Sequence, residues 1–91
     1  MNRTNEFWQA LDVIHIWVDS HPQMCIFLKG KQIVVSSPHD TSQEAAIICK
    51  FISIVIEKKW SYQTNKENDK FFYTFIPGEI EPPRLIQKTL F

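Results

Sequence analysis

The chain is poor in the features that usually announce a function. Its two glycines, Gly30 and Gly78, stand far apart, so no glycine-rich loop is available to cradle a phosphate. Ten basic and ten acidic side chains cancel, which removes the long-range pull toward nucleic acid or an anionic bilayer. The longest apolar run falls well short of the roughly 20 residues that span a bilayer. The opening MNRTNEFWQ lacks the charged start and apolar stretch of a secretory signal, and a soluble cytoplasmic protein is expected. The two cysteines, Cys25 and Cys49, lie inside the apolar runs MCIFL and IICKF. They are expected as buried free thiols behaving as small hydrophobes, with no disulfide demanded.

Reactive constellations are equally scarce. His15, His21 and His39 belong to no HxxxH, CxxC or HxE spacing, so no metal is assigned. Ser36 and Ser37 follow a strand without the GxSxG elbow that would present a hydroxyl. Cys49 has apolar neighbours, which favour an inert thiol. Glu79 and Glu81 are near each other but flank prolines in an expected exposed turn. No catalytic, cofactor or metal residue is therefore named, and activity as an enzyme is not expected.

What the chain does have is apolar bulk. Of its 91 residues 44% are hydrophobic, including seven Phe, three Trp and two Tyr, enough for one small core. Residues 1–91 are read as a single domain. Ordering a chain of this size costs on the order of 140 kcal/mol of conformational entropy, and so small a domain buries only about 60 to 65% of the surface its unfolded chain exposes.

Hydrophobic spacing supplies the elements. Asn5 to Asp19 reads as a helix with Phe7, Leu11, Ile14 and Val18 on one face, Trp8 and Trp17 on its flanks, and Asn2 or Thr4 as its cap. Ser20-His21-Pro22 stops it, because the residue before proline avoids helical geometry. Met24 to Lys29 and Gln32 to Ser37 are short runs joined through Gly30, and they read as a hairpin. Trp60 to Gln63 and Phe71 to Ile76 read as a second hairpin, with the wholly polar Thr64 to Lys70 as a solvated loop. Arg84 to Leu90, introduced by Pro82-Pro83, reads as a short terminal helix with Leu85, Ile86 and Leu90 available to dock. The expected architecture is α+β in the order αββαββα. Two hairpins make one four-stranded antiparallel sheet, and the two main helices pack on one face.

The segment Gln43 to Lys59 carries the most information. Gln43, Ala46, Lys50, Ser53 and Glu57 recur at helical spacing as one narrow stripe, and nearly everything between them is apolar. Thr41 with Glu44 fits a capping box, and Asp40 with Gln43 fits the next register. Ile48, Ile52 and Val55 oppose the stripe and are expected to face the sheet. Ala45, Cys49 and Ile56 form one flank, and the bulky Ile47, Phe51 and Ile54 form the other. A helix this apolar around its girth is built to be covered on more than one side. Ile47, Phe51 and Ile54 are therefore the expected partner interface of a small non-catalytic protein–protein interaction module, a homodimer in the first instance. The alternative is a nucleic-acid contact through Lys58, Lys59, Trp60, Tyr62, Lys66 and Lys70, where lysines interleave with aromatic rings. Lysines after a helix and inward-alternating strand aromatics explain the same residues plainly.

Overall fold

A computed structural model describes residues 4–78. The helix α1 spans Asn5–Asp19, the strands β1 and β2 span Cys25–Lys29 and Gln32–Ser37, the helix α2 spans Ser42–Ile56, and the strands β3 and β4 span Trp60–Glu67 and Lys70–Pro77. The four strands form one antiparallel sheet in the order β1-β2-β4-β3. The expected α+β class, antiparallel sheet and two main helices are all present. The expected terminal helix at Arg84 to Leu90 lies outside the described residues, as do Asn2, Glu79 and Glu81.

Local chemistry sets the element ends. Thr4 caps α1, its hydroxyl accepting from the Phe7 amide at 3.2 Å, which satisfies one of the orphan amides of a first turn. At the α2 start neither capping box forms. The Ser42 amide donates to Asp40 Oδ1 at 3.0 Å and the Thr41 amide to the Tyr73 hydroxyl at 2.7 Å, while Glu44 is drawn away to α1. The helix ends at Ile56 rather than Lys59, because Glu57 takes a left-handed φ of +64°. A residue in that conformation terminates a helix, although glycine would do so with less strain.

The second hairpin departs most from expectation. Thr64 to Lys70 is no loop: β3 runs on to Glu67 and pairs with Lys70. Only Asn68 and Asp69 remain between the strands, at φ +53° and +66°. Two successive positive φ values define the primed turn whose twist matches a hairpin, and Asn and Asp tolerate them. In the first hairpin Gly30 takes the positive φ, +62°.

Both helices lie on one sheet face. Register places Ile26, Leu28, Ile33, Val35, Ser37, Tyr73, Phe75, Trp60 and Tyr62 toward them. Of these Ile33, Val35, Tyr73 and Phe75 are fully buried and join Phe7, Ala10, Val13, Ile14, Trp17 and Val18 of α1 and Ala45, Cys49, Ile52 and Ile56 of α2. Trp17 sits at the centre, its ring 6.1 Å from that of Tyr73 and 6.2 Å from that of Phe75. It is core rather than flank, whereas Trp8 is largely exposed. Among the described residues no helix packs on the opposite sheet face, which carries Cys25, Phe27, Val34, Phe72, Thr74 and Ile76. Cys25 is thus exposed, not buried as expected, because an edge strand turns alternate side chains outward. Cys49 is buried, and both thiols are free.

Candidate interaction surface

Two polar contacts fix how the helices run. At one end Trp17 Nε1 donates to Glu44 Oε1 at 2.8 Å, with His21 Nε2 3.4 Å from the same oxygen. At the other end Lys58 Nζ lies 2.6 Å from Glu6 Oε2. The end of α1 therefore meets the start of α2 and the reverse, so the pair is antiparallel. The Lys58 pair is solvent-exposed and contributes at most about 1 kcal/mol. The indole contact matters more, since a tryptophan ring this deep needs a partner for its N–H.

With the helices fixed, the face that α2 presents can be read. Its sheet side is Ala45, Cys49, Ile52 and Ile56. Small side chains at Ala45 and Cys49 let the helix approach closely. Cys49 Sγ donates to the Trp60 carbonyl at 3.2 Å, and the Trp60 amide donates to Ser53 Oγ at 3.0 Å, locking the helix to the start of β3. This contact rotates α2 away from the expected orientation. Ile52 faces the sheet as anticipated, Ile48 is half-buried on the α1 side, and Val55 does not face the sheet at all.

The rotation leaves Ile47 at 66% exposure, Phe51 at 52%, Ile54 at 64% and Val55 at 43%. On a helical wheel these four occupy the outer and α1-facing quarter of α2, bounded on the β3 side by Gln43, Lys50 and Glu57. Ile16 of α1, the residue before Trp17, is 71% exposed. The structure leaves Ile47, Phe51 and Ile54 exposed on one side of α2 with Val55 beside them, and Ile16 is a further exposed apolar residue on α1. Val55 was missed because the sheet-facing direction is set by tertiary packing. Ile16 had a legible signal, an isoleucine set among the polar Gln9, Asp12 and Asp19.

The basic segment is dispersed by comparison. Trp60 is 4% exposed with its ring in the core, so it offers no face for a base to stack on. Tyr62 is half-buried and stacked on Phe75 at 6.0 Å. Lys58 is engaged with Glu6, and Lys66 Nζ sits 5.4 Å above the Phe71 ring. Lys59 and Lys70 are exposed at opposite ends of the second hairpin.

Among the described residues no three metal-ligating side chains converge, and no buried side-chain nitrogen or oxygen lacks a hydrogen-bond partner. His15 and His39 are exposed and His21 is half-buried. A cavity of about 320 Å³ between the end of α1 and the β2–α2 connection is lined by His21, Met24, Ser37, His39 and Thr41. Its hydroxyls are already committed, Ser37 Oγ to the His39 carbonyl at 2.8 Å and Thr41 Oγ1 to the Tyr73 hydroxyl at 3.2 Å. Burial pushes the Cys49 thiol above its ordinary range, only partly offset by Lys59, so it stays protonated and unreactive at neutral pH. Among the described residues no helix is long and apolar enough to cross a membrane. No protein-family model, curated protein or solved structure matches the chain.

Proposed function

We propose that this protein is a small interaction module that acts by binding rather than by chemistry, and that it forms a homodimer through the outer face of its helix layer. A regulator, adaptor or inhibitor is the role that suits such a module. One observation carries the reading: Ile47, Phe51, Ile54 and Val55 are four large apolar side chains on one side of one helix, and each is at least 43% exposed. Surface leucines and isoleucines scattered singly need no explanation, but a contiguous set marks an association site. Phe51 is central within it, with the polar rim of Gln43, Lys50 and Glu57 beside it, which is the layout of an anchor residue within a hydrated border.

Light scattering at micromolar concentration tests the reading. The full chain is expected as a dimer and Phe51→Glu as a folded monomer. A monodisperse wild-type monomer overturns the homodimer. The nucleic-acid alternative is tested by salt-dependent binding to short single-stranded oligonucleotides, with Lys59→Ala beside the wild type. No binding at low salt removes it.

A further inference from the structure

The outer edge of β1 is an unguarded strand, and we infer that it pairs with the β1 edge of a second copy, antiparallel and centred on Phe27. The two ends of the sheet differ. β3 closes one end with the polar run Gln63 to Glu67, which includes Lys66 and Glu67, and charged residues of this kind discourage edge-to-edge contact. β1 closes the other end with Cys25-Ile26-Phe27-Leu28-Lys29, in which Ile26 is half-buried and the rest are exposed. Phe27 is 53% exposed and Leu28 42%. An apolar edge with neither proline nor bulge is a template for another strand.

Register fixes which backbone groups are on offer. The two-residue reversal at Gly30-Lys31 makes Lys29 and Gln32 its closing hydrogen-bonded pair. Antiparallel pairs alternate, so Phe27 and Cys25 also bond to β2, whereas the N–H and C=O of Ile26 and Leu28 point to the open side. Among the described residues no strand takes up those four groups. Met24, next in the outward set, is already engaged, its amide donating to the His21 carbonyl at 3.0 Å. One self-pairing satisfies all four. Ile26 opposite Leu28 of the second copy, and Leu28 opposite its Ile26, makes two fully bonded pairs with Phe27 against Phe27 between them. Centring on Ile26 instead spends a bond on the occupied Met24 amide, and centring on Leu28 sets Ile26 against the turn at Gly30.

The side chains agree with the backbone. A groove of about 360 Å³ between α1 and β1, lined by Leu11, Val18, Met24 and Ile26, receives Leu28 of the incoming strand. On the other face the two Phe27 rings meet across a narrow pair about 4.5 Å apart at Cα. The antiparallel sense also carries the Lys29-Gly30-Lys31 tip of each copy to the end of the other where Asp19 lies beside Cys25. A parallel sense would set lysine against lysine. The contact is small, five residues a side, against the about 800 Å² per partner of a stable complex. It therefore fills above the micromolar range in which the α2 contact is read and, on that reading, joins α2-paired dimers into larger assemblies.

Disulfide trapping at submillimolar concentration tests the register in the full chain, both as it stands and with Phe51→Glu to remove the α2 contact. Phe27→Cys with Cys25→Ser puts two thiols at the symmetric position, within bridging distance, and is expected to oxidise mostly to a linked pair. The native Cys25, an exposed free thiol, would stand opposite Lys29 of the second copy. Its own counterpart is then about 13 Å off along the strand, so it is expected to stay unlinked. Adding Leu28→Pro to Phe27→Cys removes one outward amide without touching the bonds to β2 and is expected to abolish the link. Circular dichroism checks the fold, and Leu28→Lys serves where the proline variant is unfolded. In the chain carrying Phe51→Glu alone, amide exchange at Ile26 and Leu28 is expected to slow several-fold as concentration rises, while that at Thr64 and Lys66 on the β3 edge does not. No link through Phe27→Cys, an equal link through Cys25, or a link that survives the Leu28 variants or vanishes with Phe51→Glu overturns the inference. Concentration-independent exchange at Ile26 and Leu28 overturns it too. The α2 contact stands or falls on micromolar light scattering, so its failure leaves these outcomes unchanged.

Discussion

The two helices are equal in length, 15 residues each, and opposite in use. α1 buries six side chains, among them Phe7, Ile14 and Trp17, and turns Gln9, Asp12, Asp19 and other polar residues to solvent. α2 is the more apolar sequence yet buries only Ala45, Cys49, Ile52 and Ile56, two of them small. It holds Ile47, Phe51, Ile54 and Val55 outward. Had folding of one molecule been the sole requirement, isoleucine and phenylalanine would gain about 1.5 to 3 kcal/mol each by facing inward. The contrast teaches that α1 is built for the core, whereas α2 divides its apolar residues between the core and the exposed outer side of the helix layer.

Substitutions can break or sharpen that contrast. The largest effect belongs to the inward side of α2: Ile52→Ala is expected to cost about 2 to 5 kcal/mol of folding stability in a urea titration. Next comes the outward side, where Phe51→Glu should leave the urea midpoint nearly unchanged and weaken self-association by about 2 kcal/mol or more. If Phe51→Glu unfolded the chain as Ile52→Ala does, the two sides of α2 would be one core. The joint between the helices is third. Glu44→Ala strips the Trp17 indole of its acceptor and is expected to cost about 1 to 3 kcal/mol, with a shift in tryptophan fluorescence. Fourth, α1 ends at Ser20 with a right-handed φ of −80° and α2 at Glu57 with a left-handed one. Glu57→Gly should therefore stabilise the fold by about 0.5 to 1 kcal/mol, whereas Ser20→Gly should not. The smallest effect is alkaline. Because burial raises the Cys49 pKa in the fold, its contribution is present below the unfolded thiol value of about 8.5 and is lost as pH rises through the folded one. Wild type should lose stability faster than Cys49→Ala above that pH, measured as the difference between their urea midpoints.

The sequence reading recovered what is local and periodic. The bounds of α1, both strands of the first hairpin and the outward placing of Ile47, Phe51 and Ile54 follow from spacing, Gly30 and the stop at Pro22. Two things lay beyond it. β3 from Gln63 to Glu67 is polar on both faces because it runs past the helices at a sheet edge, so it has no alternation to detect. Only the Asn68-Asp69 pair hinted at a tight turn there. The rotation of α2 was hidden too, since Cys49 and Ser53 reach the Trp60 backbone across a chain reversal that spacing within one helix does not reveal.

Each hairpin of the sheet closes on itself through a two-residue reversal, and the halves meet along a single seam between β2 and β4 that spans the whole of α2. Loop-closure entropy is small for the reversals and largest for the seam. Each reversal therefore carries a small entropic cost of its own, and joining Ile33 to Phe75 and Val35 to Tyr73 carries the largest in the sheet.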